Sequence, residues 1–155
     1  MLKKNRFFVI LTCVLLLAIN VTTALAAPPL AIHIEVLEWI GSSSTEPFTA
    51  TGPAVDDELV CGTGMVEDLA VSGNNPGGPF QTLWVVKRFH CDDTSGTFDV
   101  KMVVKLDNAT HDTTANWKII GGTVNYVNLK GNGKLVGISN FPVTSILDIY
   151  NGKVH

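Results

Sequence analysis

Trp117-Lys118-Ile119-Ile120-Gly121-Gly122-Thr123-Val124-Asn125-Tyr126-Val127-Asn128-Leu129-Lys130-Gly131-Asn132-Gly133-Lys134-Leu135-Val136-Gly137 reads as two β-strands joined by a tight corner. An apolar strand stops at paired glycines, a short turn carries an aromatic residue, and a second strand punctuated by glycine begins. Gly121 and Gly122 suit either φ > 0 or the touching of two backbones. Tyr126 suits a plug whose ring fills the corner and whose hydroxyl finds a partner at the rim. These three residues are the structural candidates of the segment.

The rest of the chain is written in the same alphabet. From Gly96 to Asp107, Phe98, Val100, Met102, Val104 and Leu106 fall on one face, with Asp99, Lys101, Lys105 and Asp107 on the other. Such alternation implies one buried face and one wet face. Gln81 to Asp92 places Leu83, Val85, Phe89 and Cys91 opposite Trp84, Val86, Arg88 and His90. Asp92-Asp93-Thr94-Ser95-Gly96 is a turn by composition, so these two strands form an antiparallel hairpin. Ala31 to Ile40, with Ile32, Ile34, Val36 and Ile40 on one face, adds a strand. Phe48 to Thr51, Leu59 to Val66, Glu67 to Val71, Thr113 to Ile120, Leu129 to Ser139 and Ser145 to Tyr150 supply further short ones. Gly41 to Ser44, Ser72 to Pro79 and Asp107-Asn108 read as turns and loops. The expectation is an all-β chain of about eight strands, and the periodicity leaves a β-sandwich and a closed antiparallel barrel both open.

The words W-x-x-x-G-G-T-x-x-Y-x-x-L-x-G-x-G resemble the glycine-rich corner of the allene oxide cyclase barrel and dirigent-like superfamily. Phe48 to Asp56, Val85 to Cys91 with Gly96-Thr97-Phe98, and Leu147 to Val154 resemble an uncharacterised secreted bacterial branch of it. The resemblance spans most of the chain after the leader and implies the barrel rather than the sandwich. One departure is Val124, where a third glycine is common. A β-branched residue does not readily hold φ > 0, so a turn of slightly different shape is expected there. No catalytic or substrate-contacting residue of the plant members carries over.

The first 26 residues read as an export signal: Lys3, Lys4 and Arg6, an apolar run from Phe7 to Ala18, and the cleavage pattern Ala24-Leu25-Ala26. The expected protein is therefore a single extracytoplasmic domain over residues 27–155, not anchored in a membrane once the leader is cleaved. Three of the eleven basic residues lie in the leader and all fourteen acidic residues follow it, so the remainder carries a net charge of −6. That balance, without a basic cluster, argues against nucleic acid or anionic membranes as partners. In an oxidising compartment Cys61 and Cys91 are expected to pair. The bridge would stabilise by roughly 3 to 4 kcal/mol on the loop-entropy model.

Chemistry-bearing motifs are sparse. His33 and Glu35, and Arg88 and His90, each lie two apart on one strand face, where a histidine beside a carboxylate would serve proton transfer. The plain alternative places both pairs on the wet outer face. Glu35, Arg88 and His90 are the catalytic candidates. His33, His90 and His111 lack partners at metal-binding spacing, and no cofactor fingerprint is present. Trp39, Trp84 and Trp117 suit either a ligand mouth or the core. A barrel of eight strands is either filled by its own side chains or holds one small ligand. Lined by Leu83, Val85, Phe89, Phe98, Met102 and Val104, the interior would take a small apolar or aromatic ligand. Two other functions stay open: a cyclase, isomerase or dirigent-type guide for a reactive intermediate, and a solid barrel acting through its surface or the Ser72 to Pro79 loop.

Overall fold

The structure, a computed structural model, describes residues 27–39, 45–74, 77–140, 142 and 144–155. The expected leader, residues 1–26, and Ile40 lie outside these residues. Eight strands follow one another: β1 (Leu30–Trp39), β2 (Glu46–Thr51), β3 (Thr63–Asn74), β4 (Phe80–Cys91), β5 (Thr97–Asp107), β6 (Thr113–Gly122), β7 (Gly131–Ser139) and β8 (Ser145–Val154). Each pairs antiparallel with its neighbour in sequence, and β8 pairs back onto β1, from Leu30 opposite Val154 to Trp39 opposite Ser145. The sheet is a closed barrel, not a sandwich, and closure removes both free edges.

Alternation decides what fills it. Ile32, Ile34 and Val36 of β1, Phe48 and Ala50 of β2, Phe98, Val100, Met102 and Val104 of β5, and Trp117 and Ile119 of β6 are all buried. Trp39 and Trp84 stand on the outer wall, so only Trp117 of the three tryptophans is core. The two segments read as Leu59 to Val66 and Glu67 to Val71 are one strand, β3, which continues through Ser72 to Asn74 and so takes in part of the expected loop. A bulge between Asp68 and Ala70 shifts the β3–β4 register and produces the break in pattern that suggested two strands.

One end of the barrel is shut. A short helix, α1 (Pro53–Asp56), carries the fully buried Ala54, and Val60 beyond it is buried as well. The Cys61–Cys91 disulfide bridges the segment after α1 to the end of β4 across a separation of 30 residues. Phe89 is the hub of the packing above it. Its ring stacks on Phe98 at 4.8 Å and meets Phe48 and Tyr150 edge-on at 5.2 and 5.8 Å. Tyr126, in the 3₁₀ turn Val124–Tyr126, packs edge-on against Phe98. Its hydroxyl accepts the Cys61 N–H at 3.2 Å, and lies 2.6 Å from the Ser95 hydroxyl and 3.4 Å from Cys91 Sγ. Since Ser95 Oγ donates to Asp93, Tyr126 donates to Ser95.

The corner takes the second of the two expected forms, close backbone approach, at Gly122, and departs from expectation at Gly121 and Val124. Neither Gly121 nor Gly122 has a positive φ. A side chain on Gly122 would run into the backbone oxygens of Tyr126 and Thr97, whereas one on Gly121 would meet nothing, so close approach requires the second glycine alone. Val124, in turn, does occupy the left-handed region, at φ 52. The turn keeps the conformation that suits glycine and strains a β-branched residue to do so, in a position too exposed to recover much by packing.

Two outcomes are expected in chemical denaturation. Val124→Gly raises stability by about 1 kcal/mol, the strain released less the entropy a glycine adds to the unfolded chain. Tyr126→Phe lowers it by about 1 to 3 kcal/mol, because the buried Cys61 N–H loses its acceptor.

Candidate functional site

The charged pairs visible in the sequence decorate the outside. Glu35 accepts from the His33 ring at 3.1 Å, and Asn151 holds the other ring nitrogen at 2.8 Å. The Asn151 contact, then that to Glu35, raises the His33 pKa above 6.5. Arg88 grips Asp99 through two hydrogen bonds of 2.7 and 2.8 Å across the β4–β5 ladder. His90 contacts Glu67 at 2.9 Å. These are outward positions of β1 and β4. None of Glu35, Arg88 and His90 lines the interior, and each has its own partner on the outer wall.

The six proposed ligand contacts divide between the two halves of the barrel. Phe89 and Phe98 belong to the filled half, in the aromatic packing above the disulfide. Leu83, Val85, Met102 and Val104 line a cleft of about 160 Å³ at the opposite end, with Leu135 and Ile146 completing its apolar wall. Four ionisable side chains enter the same space: Glu38 from β1, Asp68 from β3, Lys87 from β4 and Asp148 from β8.

Lys87 is the centre of this cluster. It sits between Val85 and Phe89 on the inner face of β4 with only 5% of its surface exposed. Its ammonium pairs with Glu38 and, at 2.7 Å, with Asp68. Burial works against the charged form, but Glu38 and Asp68 outweigh it, and the Lys87 pKa is raised. Lys87 is a cation throughout the physiological range.

Asp148 lies in the same cavity without a cation of its own. Its contacts are the Thr113 hydroxyl, donating at 3.5 Å, and the carboxyl of Glu38. Burial first, and the charge of Glu38 second, push its pKa up to about 8, against the pull of Lys87. At neutral pH the Asp148–Glu38 pair therefore holds a proton. Gly137 makes the arrangement fit. It stands opposite Asp148 on β7, where any side chain would overlap both the Thr113 hydroxyl and the Asp148 carboxyl. Tyr150, two residues along β8, is fully buried, and its hydroxyl has no hydrogen-bond partner among the described residues. Burial, then the fields of Asp148, Glu38 and Asp68, drive its pKa well above 10.

The sequence analysis did not single out this cluster, although the alternation that located the core runs through it. Lys87 follows Val85 by two, Glu38 follows Val36 by two, and Asp148 precedes Tyr150 by two. The face containing Leu83, Val85, Phe89 and Cys91 passes through Lys87, and that was the available signal. Among the described residues, no group of three histidine, cysteine or acidic side chains is arranged to hold a metal ion. No protein-family model, curated protein or solved structure matches the chain.

Asp148 sets the direction of the pH dependence. Its folded pKa lies above the unfolded value near 4, so it supports folding at low pH, and that support is lost as pH rises through about 8. His33 and Glu46, also shifted upwards, act in the same direction. Urea denaturation is expected to show lower stability at pH 8.5 than at pH 5, and Asp148→Asn to remove the larger part of the difference. Lys87→Met is expected to cost about 2 to 4 kcal/mol at pH 7. That is at the lower side for a broken buried pair, because Asp68 remains half exposed.

Proposed function

We propose that this protein binds a small, largely apolar ligand in the open half of its barrel. The observation that carries the reading is the unequal filling of the interior. Aromatic side chains occupy the disulfide end, while the other end leaves a cleft of about 160 Å³ walled mainly by aliphatic residues and methionine. Pockets with mostly apolar walls and a few convergent polar groups are the usual form of small-molecule sites. The expected export to an oxidising compartment, which the disulfide fits, makes an extracytoplasmic binding protein the natural setting.

The position of Asp148 favours a second reading. A protonated carboxyl beside an ionised one, inside an apolar cavity, is suited to proton transfer to a bound intermediate. It would support a cyclase, isomerase or dirigent-type activity of the kind the sequence resemblance implies. The outer candidates Glu35, Arg88 and His90 would take no part.

Titration of a neutral hydrophobic fluorophore such as N-phenyl-1-naphthylamine is expected to saturate and to raise the melting temperature. Val85→Phe, which fills the cleft, is expected to abolish binding without loss of the folded state. Absence of saturable binding and of a thermal shift in the unsubstituted protein would rule out the binding reading.

A further inference from the structure

The charge inside the cleft is unbalanced. Four carboxyl groups converge on the open end from different strands: Glu38, Asp68, Asp148, and Glu46 on the inner face at the start of β2. The pKa of Glu46 is raised by burial and then by the charge of Glu38, which places it in the same field. Lys87 is the one cation lining the cleft among the described residues, and Glu38 and Asp68 already hold it. β5 and β7 face the space with Met102, Val104 and Leu135, and β6 contributes the neutral Thr113. Among the described residues no cation pairs directly with Asp148, which has only the Thr113 hydroxyl, the Glu38 carboxyl and the more distant pull of Lys87.

A second observation is independent of the carboxylates. The Tyr150 hydroxyl is fully buried near the same cluster and has no hydrogen-bond partner among the described residues. Native proteins rarely leave such a group unpaired, and those that do commonly place it where a ligand or an ordered solvent molecule completes it.

We propose that the ligand selected by this cleft is an organic cation, an apolar body carrying an amine or quaternary ammonium group that seats beside Asp148. The proposal rests on the binding reading above and adds the chemical class. An anion would have to approach Lys87 past the carboxylates that already surround it, and a ligand without polar groups gains nothing from Asp148. A cation supplies the charge that the wall lacks. The energetics couple binding to a proton. Asp148 binds one in the free protein at neutral pH, a neighbouring cation favours its carboxylate, and on binding the proton passes to solvent while the ammonium takes its place as counterion. Each unit by which the cation lowers the Asp148 pKa appears as about tenfold in affinity between low and high pH.

Isothermal titration with three probes of one shape tests this: benzyltrimethylammonium, its neutral carbon isostere neopentylbenzene, and phenylacetate. The ammonium is expected to bind about tenfold or more tightly than the isostere at pH 9, and to lose at least tenfold in affinity by pH 6. At pH 7, titrations in buffers of different ionisation enthalpy are expected to report release of close to one proton. Asp148→Asn is expected to weaken the ammonium about tenfold, flatten its pH dependence and leave the isostere unchanged. Equal affinity for ammonium and isostere without proton release, or tightest binding of phenylacetate, overturns the cation proposal and leaves ligand binding standing. If the neutral fluorophore binds and none of the three probes does, the cation proposal again falls alone. If neither fluorophore nor probes bind, the binding reading falls with it.

Discussion

A sheet closed on itself has a single interior, and every strand must furnish it with alternate residues. In an open sheet an inconvenient charge can sit near an edge and turn to solvent. Here the ladder from β1 round to β8 and back fixes the direction of each side chain, so Glu38, Lys87 and Asp148 point inwards as firmly as Val36, Val85 and Tyr150 do. The protein accommodates the charges by mutual pairing and by leaving room around them. Ring closure thus explains both the aromatic core and the polar cavity.

The two ends differ in how they meet this constraint. At the disulfide end, Phe48, Phe89, Phe98 and Tyr126 fill the space, and α1 and the 3₁₀ turn close over them. At the other end the inward residues are aliphatic or charged, too short or too strongly hydrated to pack across the lumen. Burying a charge costs several kcal/mol unless it is paired, so this arrangement spends stability that the aromatic half supplies. The exterior His33–Glu35, Arg88–Asp99 and His90–Glu67 pairs lie in high dielectric and contribute little either way.

Much of the architecture was legible because period-two patterning is a strong signal where one face is wet. β5 is the clearest instance: every inward residue from Phe98 to Leu106 was assigned from the sequence, and Asp99, Lys101 and Lys105 marked the outer face. The cysteine pairing was equally plain. β8 was read as a strand but only over Ser145 to Tyr150, and its faces were not assigned, since Ile146-Leu147-Asp148-Ile149 carries apolar residues on both faces and the charge of Asp148 points inwards. β3 resisted reading because the Asp68–Ala70 bulge breaks the period. The site was missed for a related reason. Hydrophobicity marks the buried face, so a lysine on that face looks like an interruption of the pattern when it is a member of it. At the corner the composition was right and the mechanics were not: Val124 carries the left-handed turn, and only one of the paired glycines is constrained.

The clasp formed by Cys61, Cys91 and Tyr126 has a consequence for motion. It ties the segment after α1, the end of β4 and the corner after β6 together at one rim, directly beneath the stacked rings of Phe89 and Phe98. Among the described residues the opposite rim has no disulfide, and its turns are joined by hydrogen bonds such as Asn108 to Gly78 and Ser139 to Asp112. Thermal opening of the barrel should therefore be graded along the strands, with amide exchange slowest near Phe89 and quickest toward Leu83 on β4. A molecule entering the lumen would pass the rim that lacks a covalent tie among the described residues, and would come to rest against the cross-linked floor.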